Sequence, residues 1–120
     1  MDEKKCISIE FEDGDEVLSG LKQAFSENKV QKGAICSVEG KIKDFDLSVF
    51  IGGAFRKKHF DEIFKITSIH GTFVERGNMG YKGELVVSLA GENSNSAGGT
   101  LSSAITAGRL VIKADIIEFK

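Results

Sequence analysis

The segment GELVVSLAGENSNSAGGTLSS (residues 83–103) holds the change of pattern that decides the fold. Leu85, Val87 and Leu89 alternate with Glu84, Val86 and Ser88, the two-residue period of a β-strand. A polar stretch rich in Asn and Ser follows, and the pair Gly98–Gly99 leads out of it. Such residues make the wide or tight turn of a hairpin. They do not make a phosphate-cradling P-loop, which needs Lys followed by Ser or Thr, nor a G-x-G-x-x-G opening a helix. GNMG (residues 77–80) fails the same tests and reads as a turn.

Outward from this hairpin, most of the chain has the same period. CISIEF (6–11), GAICSVEG (33–40), FDLSVFI (45–51), FKITSIHGTFVE (64–75) and RLVIKADIIEF (109–119) are bounded by Gly, Asn or charged turns and read as strands. GGAFRKKHFDEI and RGNMGYKG read as connections, and LSSAITAG (101–108) as a short helical turn. One stretch departs: in EDGDEVLSGLKQAFSEN, Val17, Leu18, Leu21, Ala24 and Phe25 fall at helical spacing, with Glu16, Lys22, Gln23 and Glu27 opposite. Asp13 with Glu16 resembles a capping box, and Asn28 is placed to end the helix in a left-handed conformation. No proline occurs, so the 14 glycines carry the turns with Asn, Asp and Ser.

With 120 residues, 41% hydrophobic and 28% charged, the expectation is one domain spanning residues 1–120. A net charge of −2 supplies no global basic field for nucleic acid. No apolar run approaches the roughly 20 residues that cross a bilayer, and MDEKK is unlike a signal peptide. The expected setting is cytoplasmic, without a membrane partner. Cys6 and Cys36 lack C-x-x-C or Cys/His spacing and read as buried, reduced thiols packing as small hydrophobes.

Leu110, Ile112, Ala114 and Ile116 share one face of the last strand, while Val111 and Ile117 lie opposite with Lys113 and Asp115. Several strands are thus partly apolar on both sides, and one helix covers only part of one sheet face. Either a second copy of the chain or a sheet closing on itself must cover the rest.

The order of GDEVLSGLKQAFSENKV, KGAICSVEGKI, FKITSIHGTF and ELVVSLAGENSNSAGGTL after a first strand resembles the PPC (plants and prokaryotes conserved) domain, over residues 7–119. Gly14-Asp15-Glu16-Val17 is similar to that family's opening of its first helix. Gly40 resembles its glycines after the second strand, and Ser68 to Thr72 its Ser-x-x-Gly-Thr strand end. The resemblance implies an α/β (α+β) single domain, a mainly antiparallel β-sheet packed with one main α-helix, assembled as a homotrimer.

Many prokaryotic members resemble one another in a His-x-His strand followed by Gly-Gly-His, three imidazoles suited to a divalent metal. The matching positions here are Glu84, Val86 and Thr100. Valine has no lone pair to donate, and one glutamate does not make a three-ligand site. No metal and no cofactor are therefore expected. Glu84, Thr100, Gly98 and Gly99 remain candidates to line a polar pocket at a subunit boundary, with His70 beside them; the competing role for Glu84 is a solvated strand end or an ion pair. His70 otherwise reads as a partly buried strand residue, and His59 as a solvated loop residue. No Ser-His-acid arrangement is visible, so no catalytic residue is named.

Arg56, Lys57 and Lys58, between Phe55 and Phe60, form the one basic run that suits phosphates and bases. The plant relatives' separate AT-hook, an Arg-Gly-Arg segment with proline, has no counterpart here. The expected function is a trimeric, non-enzymatic domain binding a small ligand or a partner protein. A DNA-associated regulator and a pocket enzyme at the subunit interface are the alternatives.

Overall fold

The computed structural model describes residues 4–91 and 95–118. In chain order these form β1 (Lys4–Phe11), α1 (Val17–Glu27), β2 (Val30–Ile51), β3 (Ala54–Phe60), β4 (Phe64–Glu75), a 3-10 turn (Gly77–Met79), β5 (Tyr81–Gly83), β6 (Leu85–Gly91) and β7 (Ser96–Glu118). The seven strands make one antiparallel sheet in the order β1-β7-β6-β4-β2-β3, with β5 on β4. β2 also pairs with β7, which closes a circuit through β4 and β6.

Two strands far longer than the rest make this closure possible. β2 has 22 residues and β7 has 23. Neither is straight: their ladder shifts register at several bulges, and bulges bend a strand and sharpen its twist. Each strand can therefore serve different neighbours along its length. A self-closing sheet was one of the two covers the sequence allowed, and a single chain adopts it.

The interior follows the alternation. Val17, Leu21 and Phe25 of α1 are wholly buried, as are Leu85 of β6 and Leu110, Ile112, Ala114 and Ile116 of β7. The Phe25 ring meets Phe73 at 5.9 Å and Tyr81 at 5.8 Å between centroids, and the Tyr81 hydroxyl donates to the Val30 carbonyl at 2.6 Å. A second aromatic cluster joins Phe45, Phe60 and Phe64 across β2, β3 and β4. On the outer side, Lys113 and Asp115 are exposed while Val111 and Ile117 are half-buried. Among the described residues, Phe55, Ile63 and Met79 are the exposed large apolar side chains.

Several sequence expectations change. The segments at 33–40 and 45–51 belong to one strand, because Asp44, at φ 44, is absorbed within β2 and does not end it. FRKKHF is an edge strand, where charge is tolerated and discourages pairing with another sheet. LSSAITAG is strand, not helix: it is the middle of β7, held by β2 on residues 41–47. The helix cap is Glu16 itself, whose carboxylate accepts from the Leu18 and Ser19 N–H groups. Asp13 instead accepts from the Gly108 N–H at 2.8 Å. Asn28 has φ −94, and Lys29 takes the left-handed conformation at φ 53. Cys6 and Cys36 are exposed, not buried.

Candidate functional site

The hairpin within residues 83–103 is formed by β6 and β7, with Leu85 opposite Leu101 and Ala90 opposite Ser96. Its tip, residues 92–94, lies outside the described residues. Within it Val86 stands directly opposite Thr100. On the other side of β6, Val86 is opposite His70 of β4. Thr100 is in turn opposite Ser48 of β2, and Ser48 is opposite Lys57 of β3.

Directly opposed residues share a sheet face. The result is a row across five strands: His70, Val86, Thr100, Ser48, Lys57. It faces outward, since the flanking Ile69, Leu85, Leu101 and Leu47 are buried, while His70 and Lys57 are exposed and the three between are half-buried. The row therefore presents an imidazole, two hydroxyls and an ammonium, interrupted by one isopropyl group. Glu84 is exposed, immediately before β6, and Gly98 and Gly99 lie opposite Ser88 and Val87.

Two glycines are required by how closely the strands pass here. A Cβ on Gly71 would lie 2.0 Å from the Glu84 carbonyl oxygen, so the backbone beside His70 admits no side chain. Gly99 has φ +154 and lies under Ser48, whose carbonyl oxygen would be 2.6 Å from a Cβ. Of the sequence candidates, His70 and Thr100 flank Val86 in the row, while Gly98 and Gly99 lie beside it on β7 and Glu84 just before β6. The sequence did not announce Ser48 and Lys57 as members of the row; only the β2–β7 pairing brings them in.

His70 is exposed, not partly buried. His59 is on β3, not in a loop, with Nδ1 2.7 Å from Asp46 and Nε2 2.8 Å from Asp61. The hydrogen bond from the His59 ring to the Asp46 carboxylate is the main reason its pKa stands above the ordinary histidine value, with Asp61 adding to it against partial desolvation. Arg56, Lys57 and Lys58 are all exposed on β3, next to exposed Phe55.

Among the described residues, metal-ligating side chains converge at two other places: Cys6, Cys36 and Asp115, and Asp44, His59 and Asp61, each group with donor atoms within 4.8 Å of one another. Sequence spacing hid the first of these. Cys6 alternates with Ser8 and Glu10 on one face of β1, but Cys36 stands among Ala34, Ile35 and Val38, so only the pairing of both strands with β7 brings the thiols together.

The profile of the Plants and Prokaryotes Conserved (PCC) domain matches residues 2–119. The chain belongs to that family. Solved structures share the PCC fold over nearly the whole chain. A plant- and prokaryote-conserved protein from Pyrococcus horikoshii is similar at 15% identity and a TM-score of 0.84, covering 100% of this chain and 84% of its own. A metal-containing protein from Archaeoglobus fulgidus is similar at 17% identity and 0.81, over 97% of this chain and 81% of its own. A protein from Bacteroides thetaiotaomicron whose name proposes DNA binding is similar at 20% identity and 0.77, over 100% and 85%. At these identities the likeness shows the fold. No curated protein matches the sequence.

Of the three positions that the family resemblance would make metal ligands, Val86 and Thr100 are directly opposed. The PCC scaffold is kept here and the donor at position 86 is missing. No helix is long and apolar enough to cross a membrane among the described residues.

Proposed function

We propose that this PCC-domain protein is a cytoplasmic homotrimer that acts without catalysis, binding a small ligand with an anionic or strongly polar group on the outer face of its sheet. The carrying observation is the row His70–Val86–Thr100–Ser48–Lys57. Its donors are spaced by strand separations of about 4.8 Å, so several can reach one ligand. Glu84 and the Gly98–Gly99 backbone border it. The row lies on an open surface of one chain, and a neighbouring copy at this boundary would give it walls. Exposed Phe55, Ile63 and Met79, with half-buried Val86, Val111 and Ile117, supply apolar surface for such contacts.

The test is thermal denaturation with a panel of carboxylate and phosphate metabolites. At least one is expected to raise the melting temperature, by about 2.7 kcal/mol of stability at a hundredfold excess over Kd. Thr100→Val and His70→Ala should remove the shift. No shift from any compound, or shifts untouched by both variants, would contradict the reading.

A second reading is DNA association through β3. Arg56, Lys57 and Lys58 are exposed side by side with Phe55 on an edge strand, and structural relatives carry names that propose DNA binding. Gel shift at low and high salt decides it, because phosphate contacts lose affinity steeply with salt. No retardation of any duplex at low salt would remove it.

A further inference from the structure

β1 and β2 flank β7 on opposite sides: Asp115 and Ala114 of β7 have partners on both strands. Cys6 of β1 is directly opposite Asp115. Cys36 is the extra residue of a β2 bulge, since Ile35 pairs with Ala114 and Ser37 with Lys113. Bulges re-aim a side chain, and this one turns the Cys36 thiol toward β7, where Sγ donates to the Lys113 carbonyl at 3.3 Å. Both sulfurs and an Asp115 carboxylate oxygen come within 4.8 Å of one another.

A disulfide suits this arrangement badly. Two strand spacings separate the backbones of β1 and β2 by roughly 9–10 Å, beyond the ~7 Å between Cα atoms that a disulfide tolerates. Packing as small hydrophobes fails as well, because both residues are exposed. A metal ion bridges the gap naturally. Zinc–sulfur bonds of about 2.3 Å and zinc–oxygen bonds of about 2.1 Å place tetrahedral ligands about 3.5–3.8 Å apart, reachable by small side-chain rotations.

We infer that Cys6, Cys36 and Asp115 form a thiophilic metal site, with zinc as its reference ion. Two thiolates select such ions over magnesium and calcium. Three protein ligands leave a fourth position open, the pattern of an exchangeable site and not of a closed structural one. Shallow depressions adjoin it on both sides: one of about 260 Å³ bordered by Cys36 and Thr67, and one of about 210 Å³ bordered by Asp115 and Lys32. This site is on different strand positions from the proposed ligand row and departs from the sequence expectation of no metal.

The test uses the full chain, reduced and stripped of metal under inert gas, titrated with zinc against a chromophoric chelator and separately with cobalt(II). One ion per chain and an intense thiolate-to-cobalt charge-transfer band are expected, with both thiols protected from alkylation by zinc. Cys6→Ser and Cys36→Ser should each at least halve the band and weaken zinc more than ~100-fold, above the range for losing a merely supporting group, and the double variant should lose the band altogether. Asp115→Asn should weaken zinc while keeping the band. Circular dichroism establishes that each variant is folded. Failure of reduced protein to bind stoichiometrically would overturn the inference. So would binding without the band that survives in the serine variants, which points to Asp44, His59 and Asp61, or ready air oxidation to a Cys6–Cys36 disulfide that zinc does not slow.

Discussion

The Glu16 carboxylate joins the helix to the longest strand: its Oε2 accepts from the Ala104 N–H at 3.1 Å and from the Leu18 N–H at 3.1 Å, while Oε1 accepts from Ser19 at 2.9 Å. Backbone bonds reinforce the junction, with Thr106 donating to Asp15 and accepting from Gly14. The helix is therefore hung on the part of β7 that also carries Thr100 a few residues earlier.

Replacing Glu16 by Ala should cost about 1–2 kcal/mol in urea unfolding, the range for a lost N-cap. Partial burial alone would raise its pKa, but the N–H groups of Ser19, Ala104 and Leu18 outweigh that and hold it below the ordinary glutamate value. A depressed folded pKa gives stability that is complete above the unfolded value of about 4.3. That stability is lost as pH falls through the lower, folded value. Wild type should thus lose stability faster than Glu16→Gln in this acid range.

Thr106 is wholly buried, and its hydroxyl oxygen has no hydrogen-bond partner among the described residues. An unpaired buried hydroxyl costs about 1–3 kcal/mol. Valine keeps the shape without the oxygen, so Thr106→Val should stabilise by about 1 kcal/mol, near 4 °C in melting temperature. A loss of stability would show that the hydroxyl is satisfied after all.

His59 should titrate above the usual histidine value of about 6.5, because Asp46 and then Asp61 favour its charged form. Its contribution to stability is present below the unfolded pKa and fades as pH rises through the raised, folded one. Imidazole NMR shifts followed against pH measure this. Asp46→Asn should bring the midpoint down, more than Asp61→Asn does.

Gly71→Ala should be the most damaging small change near the candidate row. Its new methyl would press on the Glu84 carbonyl, and neither strand can yield without breaking pairing between β4 and β6. A loss of about 2–4 kcal/mol is expected, together with loss of any ligand-induced thermal shift.

Much of this was legible in the chain. Val17, Leu21 and Phe25 announced the helix, and the alternation of Leu85–Leu89 and Leu110–Ile116 announced β6 and the end of β7. β3 was not legible, because an edge strand tolerates Arg56-Lys57-Lys58 without an apolar face. The middle of β7 was hidden by bulges that break its alternation between Leu101 and Leu110, leaving small residues that mimic a helical turn. The charged stretch between Gly40 and Phe45 read as a turn, yet it runs inside β2, with Asp44 in the left-handed conformation. For the candidate row, the family resemblance pointed to Val86 and Thr100, and His70 was named beside them. Ser48 and Lys57 depend on a long-range pairing that no local pattern encodes. The Cys6–Cys36 approach has the same origin: two distant residues meet only because β7 lies between their strands.

The binding reading depends on copies of the chain meeting at the outer face. Sedimentation equilibrium of the full chain over a wide concentration range tests this most directly. A species of three times the 13.0 kDa chain mass is the expected result. A particle of one chain's mass at every concentration would leave the row without walls and contradict the account.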